Sequence, residues 1–409
     1  MKDSLYAVWL AENCGYCSVL GKALIGEFGS CESVYNAERL PKELEGKRLP
    51  RDFGRRCDLE KAQKILRECE QKSITVIGLD DDRYPERLSS IADAPVALYA
   101  KGDLGLLWEL DETPALSMVG PRDMTVHGQK AAYDFAYCLA SGGMLIVSGM
   151  AEGIDGTAHK GALAAKGKTV AVMGCGLDIT YPKTHYYLHE QIEREGLTLS
   201  EYPPHTQPRG YQFPQRNRIV TALSGATFLV ETKSRSGSLI SANLAAEQGR
   251  EVYVLMTDYN RRGASAMARL INDGALVVST PMDLVEGYLP RFARRLNRSA
   301  IVGAMPPAVP EEEPRRSRAG RKRAKPEKSP VWGSEPSRSP APVKKPSMPE
   351  GLSENAQKIY QALDATDPMH VDELVEKTGL EVSAVSAALT ELEINDGVKS
   401  LPGRHYLAG

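Results

Sequence analysis

Glycine, serine and arginine recur in the middle of this chain at the ends of short apolar runs, where a strand would hand over to a helix. Three runs end in Val119-Gly120-Pro121-Arg122, in Ser148-Gly149-Met150-Ala151-Glu152-Gly153-Ile154-Asp155 and in Gly174-Cys175-Gly176. A fourth opens a loop closing on Phe213-Pro214-Gln215-Arg216-Asn217-Arg218, and a fifth leads to Lys233-Ser234-Arg235-Ser236-Gly237. Glycine lets a ligand approach the backbone, and a helix starting after the turn aims unpaired N–H groups and a partial positive charge at it. Together these loops are expected to cradle a phosphate-rich ligand. Phe213 beside Arg216 and Arg218, with Tyr181, Tyr186, Tyr187, Tyr202 and Tyr211 in nearby loops, adds ring faces to cations. That combination holds unpaired bases without choosing their sequence. The alternative for Phe213 is a ring that plugs the core.

Other chemistry is thinly represented. Asp155 and His159 stand four apart at a helix start, a spacing open to an acid/base pair or to metal binding; the simpler reading is a helix-capping Asp and a backbone-bonded His. The sequence has no nucleophile elbow, HExxH or Walker loop. The stretch Gly174-Cys175-Gly176-Leu177-Asp178-Ile179 lacks the last glycine of GxGxxG, which argues against a dinucleotide. Cys14 and Cys17 form one CxxC with no second pair at zinc spacing. No catalytic residue, metal or cofactor is assigned.

The elements that must position these loops follow from periodicity. Ala115–Val119, Met144–Val147, Thr169–Met173, Leu197–Ser200, Thr227–Val230, Val252–Leu255 and Ala275–Val278 are apolar runs separated by amphipathic stretches. This predicts an extended Rossmann-like, doubly wound, mostly parallel sheet with helices on both faces, over residues 76–290. In such sheets ligands collect at the carboxyl ends of the strands, where the loops above lie. Residues 1–75 read as a small helical module, faintly similar to helix-hairpin-helix DNA binders but without their GxG turn. Residues 296–350 hold eleven of the 26 prolines and a basic cluster from Arg315 to Lys328, and are expected to be a disordered linker. Residues 351–409, with three amphipathic helices and a two-strand pattern, read as a winged helix.

Bulk numbers set the class. The 409 residues, 42% of them apolar, exclude a disordered or fibrous chain. The formal charge of −2 hides a sorting along the chain: −5 for 1–114, +7 for 281–350 and −6 for 351–409. Seven cysteines without a framework pattern point to free thiols in a reducing cytosol. The run Leu5–Ala11 is too short for a signal-peptide core, and no stretch reaches the roughly 20 apolar residues of a membrane span. A soluble cytoplasmic protein is expected.

The motifs resemble the DprA/Smf family of bacterial DNA-processing proteins. The resemblance rests on Val119-Gly120 to Arg122 with Gly128, on Val147–Leu163, Thr169–Pro182, Ser200–Pro204, Phe213–Arg218 and Ser236–Arg250. It implies a Rossmann-type core that binds single-stranded DNA, forms a homodimer and helps load the RecA recombinase while displacing single-strand-binding protein during natural transformation. Carried over residue by residue, the DNA groove would be lined by Gly120, Arg122, Ser148, Gly149, Lys160, Gly174, Gly176, Phe213, Arg216, Asn217, Arg218, Lys233, Ser236 and Gly237. Three departures stand out. Glu152 replaces a customary Arg, Met256-Thr257-Asp258 replaces a Pro-Gly, and Ala266 and Ala268 replace Gly and Asn. The rival reading from another class is a Rossmann-type nucleotide-processing enzyme of the phosphoribohydrolase kind, whose PGGxGTxxE is missing. A regulator acting through the winged helix is a third.

Overall fold

The computed structural model describes residues 2–37, 59–233, 236–257, 263–309, 352–363, 369–395, 397–401 and 405–408. They divide into two compact units, Met1–Pro306 and Pro307–Gly409.

The first unit is built on a nine-stranded sheet. Its strands are β1 (Thr75–Gly78), β2 (Ala97–Gly102), β3 (Ala115–Val119), β4 (Leu145–Ser148), β5 (Thr169–Met173), β6 (Leu197–Ser200), β7 (Ala226–Leu229), β8 (Glu251–Leu255) and β9 (Leu276–Val278). The spatial order is β1-β2-β6-β5-β4-β3-β7-β8-β9. From β6 to β9 every neighbouring pair is parallel, while β1 and β2 add an antiparallel flank beside β6. All seven apolar runs are strands, within a residue or two of the expected limits. Strands β3 to β7 are buried along their whole length, as parallel strands covered on both faces must be. The chain winds outward from β3 through β4, β5 and β6, then returns to β7 on the other side of β3. The β3/β7 junction is therefore the switch point of the sheet, where strand order reverses and a crevice opens at the carboxyl ends.

The N-terminal helices Lys2–Cys14, Val19–Phe28, Cys31–Asn36 and Glu60–Gln71 are not a free-standing module. Ala7, Val8 and Leu10 share one core with Val76, Ala97, Tyr99, Ala171 and Met173 of the sheet. Gly15 and Gly29 both take positive φ, 77° and 87°, and end the first two helices.

The segment expected to be a disordered linker opens with regular structure. Residues Arg298–Gly303 form a helix, and Leu296 and Ile301 are buried against Phe135 and Leu139. A Cβ on Gly142 would lie 2.2 Å from Ile301 Cγ1, so this segment is seated on the α/β unit. The rest of the expected linker, 310–350, lies outside the described residues.

The second unit has helices Glu354–Ala362, Val371–Thr378 and Val382–Ile394, with strands β10 (Met369–His370), β11 (Val398–Leu401) and β12 (His405–Ala408) in the order β10-β12-β11. Its core joins Leu352, Ile359, Leu374, Val385, Leu389 and Leu392. The expected two-strand wing gains a short third strand.

Candidate nucleic-acid interface

A cavity of about 400 Å³ opens at the β3/β7 switch point, where Gly120, Arg122, Gly149, Phe213, Arg216, Asn217, Lys233, Ser236 and Gly237 come together. Nine of the fourteen residues expected in a groove therefore meet there. Close packing holds the walls. A Cβ on Gly120 would lie 2.3 Å from Ile154 Cγ1, and one on Gly153 would lie 2.3 Å from the Pro121 carbonyl. The turn after β3 and the turn after β4 are thus pressed together, which glycine alone permits; Gly153 also has φ 86°. Glu231, just after β7, accepts the Thr125 N–H at 3.0 Å and ties the start of the helix Val126–Ser141 to the β7 loop.

Arg122 is exposed, and its guanidinium carbon lies 5.1 Å from the centroid of the Phe213 ring. Tyr181 packs on the same ring at 5.1 Å and 31°, and a Cβ on Gly174 would come within 2.9 Å of Phe213 Cδ1. Phe213 is consequently half-buried, clamped rather than free, and Arg122 is its cationic cover. Lys233 makes an ion pair with Asp123 beside this cluster. Ser236 caps the helix Gly237–Glu247 by accepting the Ser238 N–H, and Gly237 is exposed. Ser234 and Arg235 lie outside the described residues.

Arg216 lies under the cavity floor, 3% exposed, and donates through Nη1 to the carbonyls of Gly149 and Val172. Its charge faces the buried carboxylate of Asp155, which accepts backbone N–H groups of Gly149 and Ala151. Those N–H groups are therefore used internally, and the β4 loop is not the open anion cradle its glycines indicate. Burial drives the Asp155 carboxyl up to about 6, against the opposing pull of Arg216. Because this group holds its proton more tightly folded than unfolded, its contribution to stability is present at low pH and is lost as pH rises through about 6. A phosphate arriving beside Asp155 favours the protonated form further. Anion affinity should accordingly rise as pH falls from 7.5 to 5.5, by at most about tenfold per pH unit. Anisotropy titrations across that range check this, with Asp155→Asn expected to lose the component.

Four expected groove residues lie elsewhere or face inward. Ser148 is fully buried and donates to the Met118 carbonyl at 2.6 Å. Gly176 supports the loop around Pro203 and Thr206. Lys160, on the helix Ile154–Ala164, is not part of the cavity wall. Arg218 is 1% exposed and pairs with Glu201 at 2.6 Å and Asp93 at 3.0 Å. Two residues along a helix is about 200° of rotation, so Arg216 and Arg218 cannot face the same ligand. Gly174 acts from beneath, as the seat of Phe213.

Asp155 and His159 do not form a pair. His159 is wholly buried, with Nδ1 2.6 Å from Thr169 Oγ1. Thr169 donates its only hydroxyl proton to the Ile146 carbonyl, so His159 Nδ1–H donates to Thr169. Burial lowers the imidazole to about 3 and keeps it neutral. No group of three or more His, Cys, Asp or Glu suited to a metal occurs among the described residues. The cavity wall adds Gly210, outside the expected set, and the exposed Arg209 and Tyr211 flank it in sequence. Their place just before Phe213 in sequence was the available signal.

Comparisons with known proteins agree with this architecture. The family model for DNA recombination-mediator protein A matches residues 75–289, and the DprA winged helix domain matches 343–404. A curated relative, Protein Smf of Synechocystis, is 34% identical over 99% of each chain. The DNA processing protein DprA of Streptococcus pneumoniae is 41% identical over 51% of this chain and 72% of its own. The X-ray structure of DprA from Streptococcus pneumoniae superposes with a TM-score of 0.59 at 33% identity, covering 69% of this chain and 97% of that one. With both the sheet-and-cavity segment and the winged helix matched in their order, this chain belongs to the DNA recombination-mediator protein A family, the DprA/Smf proteins.

Proposed function

We propose that the β3/β7 cavity holds the backbone and bases of single-stranded DNA, and that the protein presents the bound strand to the RecA recombinase. The observation that carries the reading is the Arg122 guanidinium stacked over the half-buried Phe213 at the mouth of a glycine-walled cavity. A planar cation can hold a phosphate and offer a stacking face to an unpaired base, whereas a paired base presents no free face. The recombination-mediator family supports the step to RecA, with displacement of single-strand-binding protein, and natural transformation is the setting we infer. Residues named as groove-lining act by binding, and none is given a catalytic role.

Self-association belongs to the same proposal. The open edge of the sheet leaves Leu276 and Val277 of β9 48% and 42% exposed, and Met256 is 61% exposed. An uncovered apolar edge is a surface a second copy would cover, and paired sites give avidity on a long strand.

Anisotropy titrations with single strands, duplex and mononucleotides test the function. Preference for single strands is expected. Turnover of a mononucleotide without strand binding would favour a nucleotide-processing enzyme and overturn the proposal.

The winged helix is assigned to protein contact or regulation. Residues 351–409 carry ten acidic and four basic residues, and the helix Val382–Ile394 has no Arg or Lys. Duplex readers need cations for phosphates and base edges. Within the full chain, adding Glu391→Lys and Glu393→Lys should therefore raise duplex affinity from a negligible starting value. Micromolar duplex binding that a deletion of 352–408 abolishes would contradict this assignment.

A further inference from the structure

We propose that the bound strand leaves the cavity across Tyr186 and Tyr187, which form a second stacking platform for unpaired bases. The inference rests on the single-strand reading above and extends it. A cavity of about 400 Å³ is at the small end of ligand pockets and encloses little more than one nucleotide-sized group. A strand bound there must run over neighbouring surface, so the question is which surface offers ring faces.

One rim does. Tyr187 is 79% exposed and Tyr186 47%, an unusual display for large aromatic residues, and their rings meet edge to face at 5.4 Å and 82°. They open the helix Tyr186–Glu195. Tyr186 donates its hydroxyl to Glu190 at 2.7 Å, which fixes that ring, and Tyr187 remains the more open face. Lys183 is exposed on the same short segment and supplies a cation for the backbone.

The platform is joined to the cavity through bonds rather than by proximity in sequence alone. His185 is buried and its Nδ1 lies 3.0 Å from the Met150 carbonyl, between the cavity residues Gly149 and Ala151. Thr184 donates to Glu152 at 2.7 Å, holding the next residue of the same turn. At the other end of the segment, Tyr181 packs on Phe213 itself. Residues 181–187 therefore lead from the Phe213 ring at the cavity mouth to the exposed pair, a chain distance of at most about 20 Å. Base–aromatic stacking is indifferent to base identity, so the ligand is any unpaired strand.

The test compares dT oligonucleotides of about 4 and about 20 residues, by anisotropy, on the full chain and on a Tyr186→Ala/Tyr187→Ala variant. The variant should bind the short strand as the parent does and lose about 5- to 150-fold on the long one. Tyr187→Phe, which keeps the ring, should retain the long-strand affinity. Unchanged affinity at both lengths would overturn the platform and leave the cavity reading standing. Equal loss at both lengths would overturn it too, since the pair would then act on the cavity. If the parent chain binds neither strand, the single-strand reading itself fails.

Discussion

Arg218→Ala is expected to destabilise the α/β unit by about 3–5 kcal/mol, the penalty typical of removing one partner from a buried charge network. Arg218 is 1% exposed and reaches Glu201, itself 4% exposed, as well as the carboxylate and carbonyl of Asp93. Glu201 also accepts the Cys17 N–H at 3.0 Å, and Cys17 Sγ lies 3.4 Å from Asp93. The guanidinium therefore holds together the β6 end, the Asp93 loop and the turn between the first two helices. Its removal strands a buried carboxylate. Arg218→Met should fare little better, because the carboxylates remain, whereas Arg218→Met with Glu201→Leu should recover much of the loss. Urea unfolding followed by circular dichroism reads the difference directly. A loss below about 1 kcal/mol for Arg218→Ala would mean that Arg218 is not the keystone of this network.

Arg122→Ala should weaken single-strand binding and flatten the slope of log K against log salt by about 0.7, the signature of one lost phosphate contact. Phe213→Ala should cost on the order of 1–3 kcal/mol with the slope nearly unchanged, if the ring serves a base. The two side chains touch, so their effects are not independent: Arg122 covers the ring that a base would stack on. The double variant is expected to lose less than the sum of the single losses, a coupling of about 0.5–3 kcal/mol. Full additivity would place the two residues on separate parts of the strand. Unfolding of Phe213→Ala would show the ring to be a core plug over Gly174.

Much of this arrangement is legible in sequence, for reasons that also explain the errors. The five parallel strands from β3 to β7 are buried along their whole length, so they appear as unbroken apolar runs such as Ala115–Val119 and Thr169–Met173. Strands β1 and β2 escape notice because Thr75–Gly78 and Ala97–Gly102 precede the alternating strand-and-helix run and lie beside helical text. The β3/β7 cavity follows from strand order, which loop composition alone does not reveal. The Arg216/Arg218 confusion arises because adjacency in sequence is not adjacency on a helix: one guanidinium underlies the cavity and the other is locked to Glu201. Asp155 does not cap the helix it was expected to cap, whose N-cap Gly153 has no side-chain cap; its carboxylate turns back onto Gly149 and Ala151 and consumes donors that glycine-rich loops advertise. The proline-rich composition after residue 296 likewise masks Leu296 and Ile301, two apolar residues sufficient to anchor a short helix.

Amide hydrogen exchange on the full chain, with and without a dT oligonucleotide, measures most directly where the strand sits. Slowed exchange is expected in peptides covering 119–125, 149–155, 209–217 and 236–241, together with 183–188 on long strands, with little change across 371–395. Protection confined to the winged helix, with the β3/β7 cavity exchanging as in the free protein, would contradict it.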